Sequence, residues 1–100
     1  MHTNPKELVD ITVELFGQAQ LVANQKEIKI KTPKISDINI VSKILANHCE
    51  HLIGPVVKQN GLGLQSSYIA NLNGEKFLAE DCFEIHSGDR ILIFSSQAGG

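Results

Sequence analysis

Between Pro33 and Gly54-Pro55 the chain carries its single long run of helical periodicity, and that run limits the folds open to it. Ile38, Val41, Ile44, Leu45, His48, Cys49 and Leu52 recur at spacings of three and four, which places them on one face of an α-helix. Ser36 or Asp37 is positioned to accept a hydrogen bond from the first free backbone N–H groups, and Ile35 to staple against the apolar face. Gly54-Pro55 is the predicted stop, since glycine allows a left-handed terminal turn and proline cannot continue the ladder. One amphipathic helix cannot bury its apolar face by itself, so it needs a sheet to lie on.

The flanking sequence supplies that sheet. Ile11, Val13 and Leu15 alternate with Thr12, Glu14 and Phe16 up to Gly17, the period-two pattern of a half-buried strand. Ile28 and Ile30 alternate with Lys29 and Lys31, and Pro33 is the expected end of that strand. The two strands form a hairpin across residues 18–25, a connector with no tight-turn signal. After the helix, residues 56–67 read as a loop with turns at Asn60-Gly61 and Gly63. Tyr68 to Leu72 reads as a strand, Asn73-Gly74 as a hairpin turn, and Lys76 to Leu78 as a short return. Ser87-Gly88-Asp89 marks another turn before Arg90-Ile91-Leu92-Ile93-Phe94, apolar enough for a central strand. The predicted order is β-β-α-β-β-β: an α+β domain whose mixed sheet of about four to five strands has one main helix on one face. Residues 1–10 form a flexible lead-in with a short helical turn at residues 6–10, residues 11–94 the domain, and residues 95–100 a flexible small-residue tail.

Charge and composition remove several function classes. Nine Lys/Arg against eleven Asp/Glu give a net charge of −2, so no basic field draws the chain to nucleic acid. The start is polar with no apolar h-region, and no apolar run approaches the ~20 residues that span a bilayer, so no membrane association and a cytoplasmic location are expected. Cys49 and Cys82 form no C-x-x-C and read as reduced, core or near-core thiols. His48 and His51 lie three apart beside Cys49 and Glu50, but no second cluster completes a zinc set; His48 is expected to border the core. Gly61-Leu62-Gly63 lacks the third glycine of a phosphate loop and reads as a turn. No nucleophile–base unit is legible, so the chain is read as a non-enzyme that binds no cofactor or metal itself.

Three segments resemble the MoaD/ThiS type of ubiquitin-like sulfur carrier. Ile11-Thr12-Val13-Glu14-Leu15-Phe16-Gly17 is similar to the opening strand of MoaD-type carriers, and Ala70-Asn71-Leu72-Asn73-Gly74 to the family's Asn-containing hairpin. Gly88-Asp89-Arg90-Ile91-Leu92-Ile93-Phe94, followed by Ala98-Gly99-Gly100, resembles the Gly-Asp turn, last strand and tail of MoaD and ThiS. The resemblance covers roughly residues 11–100, a whole small domain. The N-terminal extension and the 56–67 stretch make the chain longer than typical members. The resemblance implies a β-grasp (ubiquitin-like) fold. It also implies a ubiquitin-activating-like adenylating enzyme, which uses ATP to place AMP on the carboxylate of Gly100, with sulfur then replacing AMP. The further partner would be a large synthase subunit or another sulfur acceptor enzyme. A MoaD-like role in molybdenum or tungsten pterin cofactor assembly leads. A ThiS-like role in thiamine synthesis, a modifier joined to lysines through Gly100, and a plain interaction module stand as alternatives.

Such chemistry asks two things of the residues. Gly99 and Gly100, without Cβ atoms, fit a narrow channel, and Ser95, Ser96, Gln97 and Ala98 continue the slender lead. Ordering this tail costs about 1–2 kcal/mol per residue in backbone entropy, so a docking surface on the folded body must help. With Ile11, Val13, Leu15, Ile91 and Ile93 facing the helix, Phe16, Leu92 and Phe94 project from the opposite face as one apolar patch. The opposite register would put Leu92 and Phe94 in the core. Lys29 and Lys31 lie on the outward face of their strand.

Overall fold

Strand β1 (Leu8–Leu15) is the axis of the core, with Val9, Ile11, Val13 and Leu15 all buried on one side. The computed structural model describes residues 7–79 and 81–96. β1 begins at Leu8, three residues before Ile11, because its antiparallel partner β2 (Glu27–Pro33) is long enough to pair with every residue from Leu8 to Glu14. Val9 and Asp10 therefore lie in a strand rather than in a helical turn or a lead-in. Pro33 ends β2 as expected, and one further hydrogen bond follows it, from the Lys34 N–H to the Glu7 carbonyl at 2.8 Å. Proline is tolerated there because its missing N–H would have pointed away from β1.

The connector between these strands folds as α1 (Gln18–Ala23), which buries Ala19 and Ala23 and ends on Asn24 in the left-handed region (φ 57°). After β2 come β3 (Ile35–Ser36) and α2 (Ile38–His48). Asp37 is the N-cap, its carboxylate accepting from the Ile40 N–H at 2.8 Å, while Ile35 pairs with Glu84 instead of stapling the helix. α2 buries Val41, Ser42, Leu45 and Ala46 and stops at His48, six residues before Gly54. Cys49 is extended (φ −148°), and a 3₁₀ turn over Glu50–Leu52 follows, which still brings Leu52 into the core. His48 is exposed, contrary to the helical-face reading, because the helix ends there and Cys49 turns extended, so the 3.6-residue spacing no longer sets its facing.

Val56 and Val57 are fully buried within the irregular stretch, where Val57 bridges to Ile53 and Leu64. The Gly61-Leu62-Gly63 stretch closes on itself as a turn: Gly61 N–H donates to the Lys58 carbonyl, and Lys58 N–H to that of Gly63. β4 (Tyr68–Leu72), β5 (Lys76–Leu78), β6 (Phe83–Glu84) and β7 (Arg90–Ser95) complete the chain. The main sheet runs β2-β1-β7-β4-β5, with β1 and β7 parallel at its centre and the remaining neighbours antiparallel. β3 and β6 form a separate two-stranded piece. Cys49 is buried as expected, but Cys82, beside β6, is exposed.

Candidate functional site

The site is built on β7, whose two ends are held by different means. At its start, the Gly88 N–H donates to the Asp10 carbonyl at 2.8 Å and the Thr12 N–H to the Asp89 carbonyl at 3.1 Å. The Asp89 carboxylate accepts from the His86 N–H at 2.8 Å and from the Asn73 amide at 3.1 Å. Asn73 also accepts from the Arg90 N–H at 2.8 Å. Asn73 and Gly74 both have positive φ (57° and 74°), as a type I′ hairpin turn demands. The Gly-Asp turn and the Asn-containing hairpin are thus one hydrogen-bonded knot that fixes where β7 begins.

From that start the register is set. Ile91 and Ile93 are fully buried, so Arg90, Leu92 and Phe94 face away from α2, and the core reading of Leu92 and Phe94 falls. Leu92 stands between Glu14 and Asn71, and Phe94 stands opposite Ile69. Phe16, 41% exposed, follows the Leu15–Ile93 pair and donates its N–H to the Ile93 carbonyl at 3.1 Å, which brings it level with Phe94. Sequence reasoning missed Phe77. It lies opposite Asn71 on β5, is 65% exposed, and its ring meets that of Phe94 with centroids 6.3 Å apart at 57°. The period-two alternation through Lys76, Phe77 and Leu78 marks Phe77 as the out-of-phase member, a signal legible only once the hairpin register is known. Amid these apolar groups Asn71 is only 6% exposed, and its Oδ1 has no hydrogen-bond partner among the described residues.

The same face carries charge toward the other edge. The Arg90 guanidinium reaches across β1 to Glu14 and on to Glu27, 2.9 Å away on β2. Its hydrogen bond, then its charge, hold the Glu27 carboxyl below its ordinary range, and both carboxylates raise Arg90 in return. Lys31 and Asp10 pair at 2.8 Å further along.

At the far end of β7 the chain leaves the sheet. Ser95 still pairs with Tyr68, while the Ser96 N–H donates to the Ser67 carbonyl at 2.8 Å and its hydroxyl to the Ser66 carbonyl at 3.1 Å. These two residues, read from sequence as the start of a flexible tail, are instead the tail root, held to the body, Ser95 as the last residue of β7 and Ser96 by its two hydrogen bonds. Gln97, Ala98, Gly99 and Gly100 lie outside the described residues. Among the described residues no group of three or more His, Cys, Asp or Glu side chains is placed to hold a metal ion, and no helix is long and apolar enough to cross a membrane.

No family model matches the sequence, and no curated protein matches it. Solved structures do. The small archaeal modifier protein SAMP1 of Haloferax volcanii superimposes with a TM-score of 0.74 at 19% identity, over 91% of this chain and 99% of that one. SAMP1 of Methanosarcina acetivorans gives 0.69 at 18% identity, over 94% and 99%. A Pyrococcus furiosus protein described as molybdopterin converting factor, subunit 1, gives 0.64 at 18% identity, over 87% and 97%. With its five-stranded mixed sheet, parallel central pair and single main helix, the chain is a β-grasp domain of the ubiquitin-like kind, the fold that the MoaD/ThiS resemblance implies.

Proposed function

We propose that this protein is a sulfur carrier that works by presenting Gly100 to partner enzymes. The observation that carries the reading is an apolar patch beside Ser95 and Ser96, in which exposed Phe16 and Phe77 flank half-buried Leu92 and Phe94. An adenylating enzyme docks on that patch, and the tail through Gln97, Ala98 and Gly99 enters its site. The Gly100 carboxylate attacks the α-phosphorus of ATP, forming acyl-AMP and releasing pyrophosphate. A sulfur nucleophile then displaces AMP, which leaves with the C–O bond electrons, and the product is a thiocarboxylate. A carboxylate has no adequate leaving group until this activation, which is why a carrier needs an ATP-using partner and no base or metal of its own. A large synthase subunit of the pterin cofactor type then takes the sulfur, consistent with the Pyrococcus furiosus neighbour. The work is cytoplasmic on this reading.

A second reading has a specific observation behind it: neighbours from two archaea are described as modifier proteins. The same acyl-AMP then reacts with a lysine amine rather than with sulfur. Intact mass after incubation with adenylating enzymes, ATP and a sulfur donor tests the leading reading. Oxygen-to-sulfur exchange mapped to Gly100 is expected. An unchanged mass beside a converted control carrier rejects it, and isopeptide-linked lysines in cell extract select the modifier. Deleting Gly99-Gly100 is expected to abolish either activity with the fold intact, whereas a plain interaction module keeps its binding.

A further inference from the structure

The β2 edge of the sheet is a second surface, remote from the aromatic patch. The hydrogen bonds Leu15 N–H to the Lys26 carbonyl and Lys34 N–H to the Glu7 carbonyl, both 2.8 Å, fix the phase of the β1–β2 ladder. Paired and unpaired positions alternate in an antiparallel ladder, so even-numbered residues of β2 turn their peptide groups to β1. Glu27, Lys29, Lys31 and Pro33 turn theirs outward, and among the described residues no strand pairs with them. Pro33 has no N–H to offer, so the open donors are those of Glu27, Lys29 and Lys31.

The charge along this edge is concentrated. Two of the three residues with open donors, Lys29 and Lys31, are lysines, while Lys34 just beyond β2 is paired with Glu84. Lys29 has no ion-pair partner among the described residues, and the Lys31 side chain is 67% exposed despite its contact with Asp10. A second copy pairing antiparallel about Ile30 would set Lys29 against Lys31, like charges directly opposed, which disfavours that register of self-association. An incoming acidic strand meets the reverse condition.

We propose that the β2 edge docks an extended acidic segment of a partner protein, added as a sixth strand. Its peptide groups pair with those of Lys29 and Lys31, and its carboxylates on alternate residues lie beside the two ammonium groups. Because β2 and the aromatic β5 stand at opposite edges, this segment holds the body without covering the tail root.

The test uses the full chain and a capped synthetic peptide of about eight residues alternating aspartate and valine, a typical strand length. Saturation is expected to slow amide hydrogen exchange at Lys29 and Lys31 by about tenfold or more, leaving the already paired Ile28 and Ile30 unchanged. The double variant Lys29→Glu, Lys31→Glu is expected to bind about tenfold more weakly or worse, with only a small drop in melting temperature from the lost Lys31–Asp10 pair. If that variant does not fold, Lys29→Gln with Lys31→Gln replaces it and the peptide affinity is read in the same way. Absence of binding at millimolar peptide overturns the proposal. So does binding without the two slowed amides, chemical-shift change centred on Phe77 and Phe94, or equal slowing in a concentration-dependent dimer of the chain alone.

Discussion

The outward face of the sheet is divided along its length into two unlike halves. Over β2, β1 and the start of β7, apart from Leu8 at the end of β1, the side chains are Glu27, Lys29, Lys31, Asp10, Thr12, Glu14 and Arg90, and ion pairs join Lys31 to Asp10 and Arg90 to Glu14 and Glu27. Over the rest of β7, β4 and β5 they are Leu92, Phe94, Ile69 and Phe77, with one under-bonded amide, Asn71. Both halves share one backbone ladder and lie opposite the same core, so stability of the fold does not require the difference. Water and the ion pairs account for most of the charged half, leaving Lys29 without an ion-pair partner among the described residues. Exposed phenylalanines gain nothing from water, and their grouping beside the tail root is the arrangement expected of a surface that another protein covers.

The largest effect that would test this division comes from Phe94. Replacing it with glutamate places a charge at the centre of the apolar half, and affinity for the adenylating partner is expected to fall by 2 kcal/mol or more, about thirtyfold. Phe77→Glu, at the more exposed end, is expected to cost about 1 kcal/mol of binding with no measurable loss of stability. Calorimetric titration against the activating enzyme, beside a thermal melt, reads both. Unchanged affinity in both variants would move docking elsewhere and leave the aromatic grouping without a role.

A smaller effect sharpens the same comparison at Asn71. Its buried Oδ1 lacks a partner, and an unsatisfied polar atom costs folding free energy. Asn71→Val, which suits a strand, is expected to stabilise the chain by about 1 kcal/mol. That corresponds to a melting rise of about 4–8 °C for a domain of this size. If partner affinity falls in the same variant, the amide serves recognition, an instance of stability given up for function. A destabilised variant would show instead that Asn71 holds the sheet together.

The division was partly legible in the sequence, and the reasons are local. Ile11, Val13, Leu15, Ile91 and Ile93 alternate with polar or differently sized residues, and period two fixes facing once one face is buried. Asn73-Gly74 and Gly88-Asp89 mark turns because few other residues adopt positive φ without strain. What escaped depended on distant partners. Phe77 belongs to a strand of three residues, defined only by pairing with β4, and β3 and β6 are two residues each and define one another across the fold. The anchoring of Ser96 depends on the carbonyls of Ser66 and Ser67, thirty and twenty-nine positions away. α1 is six residues long, too short for a moment of 3.6-residue period to stand out, and α2 stops early because Cys49 turns extended at a position where the apolar spacing continues unbroken to Leu52.

The smallest effect belongs to the charged half. The Arg90 hydrogen bond lowers the Glu27 carboxyl from its ordinary 4.5, with the Arg90 charge next and Lys29 a lesser contributor. A carboxyl whose folded value is depressed stabilises the fold fully above its unfolded value and loses that contribution as pH falls through the folded one. Arg90→Gln should therefore melt slightly below the parent chain at neutral pH. That gap should close in acid as Glu27 protonates below the ordinary carboxylate range, and should narrow in ~1 M salt, where the Debye length is only about 3 Å. Because both side chains are half exposed and screened by solvent, the gap is expected to be small, and partner affinity in Arg90→Gln is expected to match the parent. A binding loss as large as that of Phe94→Glu would make Arg90 part of the docking contact and extend the functional surface across β1, erasing the boundary between the halves.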